Sequence, residues 1–243
     1  MGKIFAVLSG KGGTGKSTVS VGIGLGYAKR GKKVLLIDLD EGLRCLDLMV
    51  GISAELVFDL ADLLAGHPIV DGIYPTELSE NLFLIPAPQQ DGILQSESLS
   101  DLIQTLSPQY DIIILDFSAG IHRRLLSALP PNTQWLAVCN ADPVSVRDIT
   151  VFTDSADTLR PKPLLILNRF SYWNFRDGGF QTLDEIVDTG GLRLIGVIPL
   201  DFQLAQLPVR HRLPPKSRGF LAFDRIVGRL EKENIPLPKP QRI

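Results

Sequence analysis

The chain has 243 residues, 44% of them hydrophobic and 21% charged, enough for one large α/β domain or two small ones. Its net charge of −2 gives no global attraction to nucleic acid or anionic lipid, so any such contact has to come from a local patch. The two cysteines, Cys45 and Cys139, form no Cys-x-x-Cys pair, which argues against a disulfide scaffold and a zinc or iron–sulfur site and for a reducing cytoplasm.

Ile4–Leu8 is a continuous apolar run, as expected for a parallel strand covered on both faces. It leads into Ser9-Gly10-Lys11-Gly12-Gly13-Thr14-Gly15-Lys16-Ser17-Thr18, which fits the phosphate-loop pattern Gly-x-x-x-x-Gly-Lys-[Ser/Thr]. The glycines let backbone N–H groups turn toward an anion. Lys16 is placed to reach the β- and γ-phosphates, and the Ser17 hydroxyl to ligate Mg²⁺. Lys16–Arg30 reads as a helix with Val19, Ile23 and Tyr27 on its apolar side and Gly31 as a stop. Glycines at 22, 24 and 26 weaken that helix but permit close packing on a sheet. A strand, a loop and a helix in this order are the context that turns the pattern into a site.

Val34–Leu39 is the next strand, ending on Asp38-Leu39-Asp40, where open α/β sheets place their ligands. A helix is expected over residues 56–65, a strand over Leu82–Ile85 and a helix over Ser98–Leu106. Ile112–Leu115 is strongly apolar and ends on Asp116, followed by Phe117-Ser118-Ala119-Gly120. A carboxylate at such a strand tip holds Mg²⁺ in phosphate-loop enzymes, and the plainer alternative is a helix cap.

Trp135–Cys139 is a strand and Ser145–Leu159 a helix. Leu164–Leu167 is a strand ending on Asn168-Arg169-Phe170-Ser171, where a guanine site would have Asn-Lys-x-Asp. Ser171 lacks the carboxylate that guanine needs, whereas the Asn168 amide can pair with adenine. After a helix at Leu183–Val187, the last strand Leu194–Ile198 is closed by Pro199. Asn168, Arg169 and Pro199 join the loop residues as the candidate nucleotide-binding set. The basic stretch 208–218, with Arg210, Arg212, Lys216 and Arg218, reads as a solvated loop, with a phosphate- or partner-binding patch as its alternative. Ser217 caps a final helix reaching Glu233, and the tail Ile235–Ile243 carries three prolines and forms no long helix. His67, His122 and His211 are scattered, with no metal-ligand spacing. The expected architecture is a single three-layer α/β domain over residues 1–234, with a mostly parallel central sheet flanked by helices, and a proline-rich tail at 235–243.

With these segments placed, residues 3–233 resemble the MinD/ParA family of deviant P-loop ATPases. The stretch Lys11 to Thr18 is similar to that family's loop, whose early lysine is its signature. Asp38-Leu39-Asp40-Glu41-Gly42-Leu43-Arg44-Cys45-Leu46-Asp47-Leu48 resembles the first switch of the MinD branch, where ParA proteins carry Pro-Gln after the second aspartate. Asp116 to Ile121 is similar to the second switch, and Val146-Arg147-Asp148 and Gly196-Val197-Ile198-Pro199 match MinD stretches. The resemblance implies an ATP- and Mg²⁺-binding switch with slow, partner-stimulated hydrolysis, in which two subunits sandwich two nucleotides. Lys11 would cross to the phosphates of the second copy, and Asp40 would orient the attacking water beside Lys16. Ser17 would ligate Mg²⁺, supported by Asp38 and Asp116. The implied role is spatial regulation of septum placement through a protein activator or adaptor in the cytoplasm. A ParA-like DNA-binding partitioning ATPase and a flagellar-type positioning ATPase are the alternatives, with DNA binding not favoured. Three departures stand out: a tail without the basic amphipathic membrane helix of MinD, so that membrane contact is expected only through a partner; Ser118 and His122 in the second switch; and Cys45 in place of asparagine.

Overall fold

The computed structural model describes residues 2–120, 125–126, 129–155, 160–177, 179–180 and 182–243. Eight strands build one sheet: β1 (Lys3–Leu8), β2 (Val34–Leu39), β3 (Tyr74–Thr76), β4 (Ser79–Ile85), β5 (Ile112–Phe117), β6 (Gln134–Asn140), β7 (Leu164–Phe170) and β8 (Arg193–Pro199). Their order is β3-β4-β2-β5-β1-β6-β7-β8, and every neighbouring pair is parallel except β3 against β4. The expected three-layer α/β architecture with a mostly parallel sheet is what the chain adopts.

Strand alternation divides the apolar side chains between two cores. Phe5, Val7, Val34, Leu36, Ile112, Ile114, Leu136 and Val138 face α1 (Lys16–Ala28), α2 (Leu46–Val50) and the last helix, Arg218–Leu230. Ile4, Ala6, Leu8, Leu35, Ile37, Ile113 and Leu115 face the other way. There they meet α3 (Leu60–Leu64), α4 (Ser96–Leu106), α5 (Pro143–Ser155), α6 (Tyr172–Asp177) and α7 (Leu183–Gly190). Two short turns of helix, α8 (Phe202–Ala205) and α9 (Leu207–Arg210), precede the last helix, α10 (Arg218–Leu230).

Several boundaries differ from the sequence expectation. The helix read over 56–65 is confined to Leu60–Leu64 because Asp59 caps it, its side chain accepting from Ala61 N–H at 2.9 Å while Asp62 returns a bond to the Asp59 N–H. β3, α2, α6, α8 and α9 carry no clear periodic signal and were not expected; the basic stretch 208–218 begins inside α9. Of the helix read over 145–159, residues 156–159 lie outside the described ones, as do Ile121 and His122 of the second-switch stretch. The tail runs without a long helix: Arg229 donates to the carbonyls of Ile235 and Pro236, and a single 3₁₀ turn forms at Pro240–Arg242.

α1 is buried on nearly all sides between the sheet and α10. Gly22 makes this possible, since a Cβ there would lie 2.2 Å from the ring of Phe223, which is itself fully buried. Replacing Gly22 by Ala should therefore destabilise the protein by about 1–3 kcal/mol through overpacking, although alanine is the better helix former by about 1 kcal/mol. Urea unfolding measures it. A variant as stable as the wild type would show that α10 yields at this contact.

Candidate functional site

The site grows out of strand parity. Asp38 on β2, Asp116 on β5, Asn140 on β6 and Asn168 on β7 all stand at the carboxyl ends of their strands and in phase with the residues that face α1. Asp38 is in register with Asp116, and Asn140 with Asn168. Because β5 inserts between β1 and β2, Asp116 lies one strand from the end of β1, opposite Val7. The loop 9–15 leaves β1 at this point and opens α1, so the helix N-terminus and its free N–H groups meet the row of polar strand tips.

Neighbours on both sides hold the loop. Asn168, almost fully buried, donates its amide N–H to Thr14 O at 2.8 Å, and Arg169 donates to Gly13 O at 2.9 Å. Ser9 Oγ donates to Lys11 O at 2.8 Å. Gly10 lies against α5, where a Cβ would come 2.5 Å from Asp148 O, and Gly15, at φ +89, leaves 2.2 Å between such a Cβ and Asn168 Nδ2. Only glycine fits these two positions. Gly12 and Gly13 face open space, and Thr14 is buried with its Oγ1 unpartnered.

The two loop lysines have opposite environments. Lys16 is buried, at 7% exposure, whereas Lys11 is exposed. Ser17 and Thr18 are half-buried on the first turn of α1, and the Cys45 thiol donates to Ser17 Oγ at 3.3 Å. Asp38 accepts from the backbone N–H groups of Asp40 at 3.0 Å and Leu46 at 3.3 Å, which fixes the start of the 40–45 turn and of α2. Asp40 itself is only half-buried. Asp116, at 0% exposure, accepts from Ser20 Oγ at 2.8 Å through Oδ1, while its Oδ2 has no partner. Pro199 is buried at the end of β8, away from the strand tips beside the loop.

Burial pushes the Asp38 carboxyl well above the usual carboxylate range, and the nearby Asp116 charge adds to the shift. Asp116 is raised by burial too, against the opposing effect of the Ser17 and Ser20 hydroxyls and the Lys16 charge. The Cys45 thiol is pushed up to about 11, mainly by burial. Among the described residues, no three His, Cys, Asp or Glu side chains converge on a metal position. The protein donors for a Mg²⁺ ion would be the Ser17 hydroxyl and, through water, the carboxylates; phosphate oxygens and water would fill the remaining places. The orphaned Oδ2 of Asp116 fits such an ion.

Sequence reasoning missed four elements of the site. Ser20 is one turn after Ser17 and ties α1 to Asp116. Asn140 has a buried, unpartnered Oδ1, and its even position on β6 was the available signal. Glu41 accepts from the N–H groups of Ile93 and Leu94 at 2.7 and 2.9 Å, tying the first-switch stretch to the loop before α4. A groove of about 550 Å³ beside the loop is lined by Gly10, Gly120, Val144, Arg147, Asp148 and Val151 among others, with Val144 and Val151 exposed.

Residues 5–214 match the family model of the CobQ/CobB/MinD/ParA nucleotide binding domain. The septum site-determining protein MinD of Bacillus subtilis is 30% identical over 98% of this chain and 92% of its own length. The MinC:MinD cell division protein complex of Aquifex aeolicus contains a chain that superposes with a TM-score of 0.85 at 30% identity, covering 98% of this chain and 99% of that one. MinD of Pyrococcus horikoshii, solved with Mg-ADP, superposes with a TM-score of 0.79 at 26% identity, covering 96% and 97%. On this likeness, which takes in the loop, both carboxylate-tipped strands and the sheet around them, the chain belongs to the MinD/ParA family of P-loop nucleotide-binding proteins, on its MinD side.

Proposed function

We propose that the chain is a Mg²⁺-dependent ATPase that dimerises around ATP and regulates septum placement through a protein partner. The observation that carries this reading is the division of the two loop lysines, Lys16 buried inside the site and Lys11 exposed at its rim. A buried ammonium at the first turn of α1 suits the phosphates of a nucleotide held by the same chain. An exposed one on the same loop suits phosphates held by a second copy, where added positive charge stabilises the transferring group. Bound Mg²⁺ would neutralise charge on the phosphates, with Ser17 as its protein ligand and Asp38 and Asp116 behind it. Asp40, which is half-buried, would orient the attacking water. Asn168 and Arg169 act first on the loop's own carbonyls, so their contribution to nucleotide binding is to set the loop's shape. Pro199 lies farther along the same sheet edge, on the side where the base would extend. The groove beside Gly10 and Gly120, with its exposed valines, offers the neighbouring face for a second copy or an adaptor. The solved MinC:MinD complex supports a protein partner. No helix among the described residues is long and apolar enough to cross a membrane.

Two substitutions separate the lysines. Lys16→Ala should abolish binding of ATP and ADP alike. Lys11→Ala should still bind nucleotide but fail to dimerise in ATP, with phosphate release lowered about 10³-fold or more from the partner-stimulated rate. Size exclusion and a phosphate-release assay read both effects, and a Lys11→Ala protein that dimerises and turns over normally overturns the shared-site reading.

The buried carboxylates predict a pH dependence. A carboxyl raised in the folded state contributes full stability below the ordinary carboxylate range, and that stability is lost as pH rises through the raised value. Asp116→Asn keeps the acceptor for Ser20 and removes this loss. At pH 8 without nucleotide the variant should be more stable than the wild type by roughly 1–3 kcal/mol, with the difference vanishing near pH 4. Added Mg²⁺-ATP should reverse the ranking, because only the wild type offers the carboxylate. Thermal melts across pH, with and without nucleotide, measure it; a wild type more stable than the variant at pH 8 without ligand contradicts the charge argument.

A further inference from the structure

The amino-terminal edge of the sheet, opposite the phosphate loop, carries a second concentration of positive charge. A cavity of about 580 Å³ opens where β1, β6, β7 and β8 begin and α10 ends, a volume in the range of small-molecule sites. Five cations line it: Lys3 on β1, Lys162 ahead of β7, Arg193 on β8, Arg229 on α10 and Lys232 just beyond that helix. No carboxylate among the described residues lines it, and Asn132 and Gln134 add neutral amides. The strand from Lys3 to Leu8 separates this cavity from the loop by about 17 Å, so the two do not share side chains.

Lys3 has a counter-charge, Glu231 at 2.6 Å. Among the described residues no carboxylate pairs with Lys162, Arg193, Arg229 or Lys232. Arg229 is held by carbonyl oxygens instead, donating to Ile235 O at 2.8 Å, Ile195 O at 3.0 Å and Pro236 O at 2.7 Å. Carbonyl dipoles fix the direction of its guanidinium but leave the charge unneutralised, and both burial and the nearby Arg225 charge act against that charge. Lys232 has φ +64, the left-handed conformation that glycine ordinarily supplies at the end of a helix. A cationic side chain is thus kept at the cavity rim against the backbone preference.

A concave site lined by one sign of charge concentrates counter-ions. Four cations without a carboxylate exceed what a single anionic group neutralises, and guanidinium groups present planar forks that match phosphate oxygens. We propose that this cavity is an anion-binding site, separate from the nucleotide site, for a compact ligand carrying two or more phosphate groups, either free in solution or on a lipid headgroup. Arg193 and Arg229 hold the phosphates through their N–H groups, and Lys162 and Lys232 supply charge from the rim.

The test titrates tripolyphosphate into the full chain by calorimetry, at low salt and without divalent ions. Lys16→Ala silences the phosphate loop and should leave this binding in place. Lys162→Glu combined with Arg193→Glu, both at exposed positions, should weaken it about tenfold or more. Arg212→Glu combined with Lys216→Glu makes the same change of charge on the other basic stretch and should shift it less than about twofold. Thermal melts without the anion check that each variant is folded; Lys162→Ala alone, expected to weaken binding about threefold, replaces the double variant if that one unfolds. Vesicles containing a bisphosphorylated inositol lipid test the second source: vesicle binding without tripolyphosphate binding, lost in the Lys162 and Arg193 variant, puts the phosphates on a headgroup. Equal weakening by the two pairs of substitutions, loss of binding in a folded Lys16→Ala protein, or binding of neither probe overturns the site.

Discussion

Two carboxylates buried side by side are the constraint on which the rest of the site depends. Asp38 and Asp116 lie in register on adjacent parallel strands, both withdrawn from water and both raised well above the ordinary carboxylate range. Like charges in a poorly polarisable setting repel strongly, and each has lost its hydration. The chain offsets part of this locally, with two backbone N–H groups on Asp38, the Ser20 hydroxyl on Asp116 and the Lys16 ammonium nearby. It leaves one oxygen of Asp116 unmatched. Under the proposed function, a cation brought by the nucleotide would restore stability at this point and would couple binding to the segments that Asp38 holds. Its neighbours are the 40–45 turn and the start of α2.

That coupling can be followed outward. Asp38 holds the turn at Asp40 and Leu46, and Glu41 from the same turn binds the N–H groups of Ile93 and Leu94 ahead of α4. Gly42 N–H donates to Pro88 O at 3.0 Å. Asp38 is thus linked to the 88–94 segment through the 40–45 turn, by the Asp38 and Glu41 carboxylates on backbone N–H groups and by the Gly42–Pro88 backbone bond. The opposite side of the loop is also held: Asn168 and Arg169 clasp Thr14 and Gly13, and Gly10 is pressed on α5.

Much of this was legible in the sequence because a parallel sheet covered on both faces writes each strand as an apolar run ending on its functional residue. Asp38, Asp116 and Asn168 were found that way, and the loop by its glycine and lysine spacing. The order of strands was not legible: nothing local to Ile112–Phe117 says that it inserts between β1 and β2, and that insertion is what brings Asp116 to Asp38. Leu56, Val57 and Phe58 imitate the start of a helix, yet Val57 is largely exposed and the helix begins only where Asp59 and Asp62 cap it. Asn168 looked like a base-reading residue from its place at a strand tip. The hydrogen bond its amide N–H donates to the Thr14 carbonyl depends on a contact across 154 residues that spacing cannot express.

The packing of α1 limits which parts of the site can move. A helix buried between sheet and α10, with Phe223 against Gly22 and Val227 against Gly26, has no room to shift without opening both interfaces. Lys16, Ser17 and Ser20 are thus carried on a closely packed frame. What remains free to respond lies at the rim: Lys11 on the loop, and Leu43 on the 40–45 turn, which is 76% exposed. If nucleotide is bound as proposed, the closely packed half of the site would hold it and the exposed half, with Lys11 and Leu43, would meet a second surface.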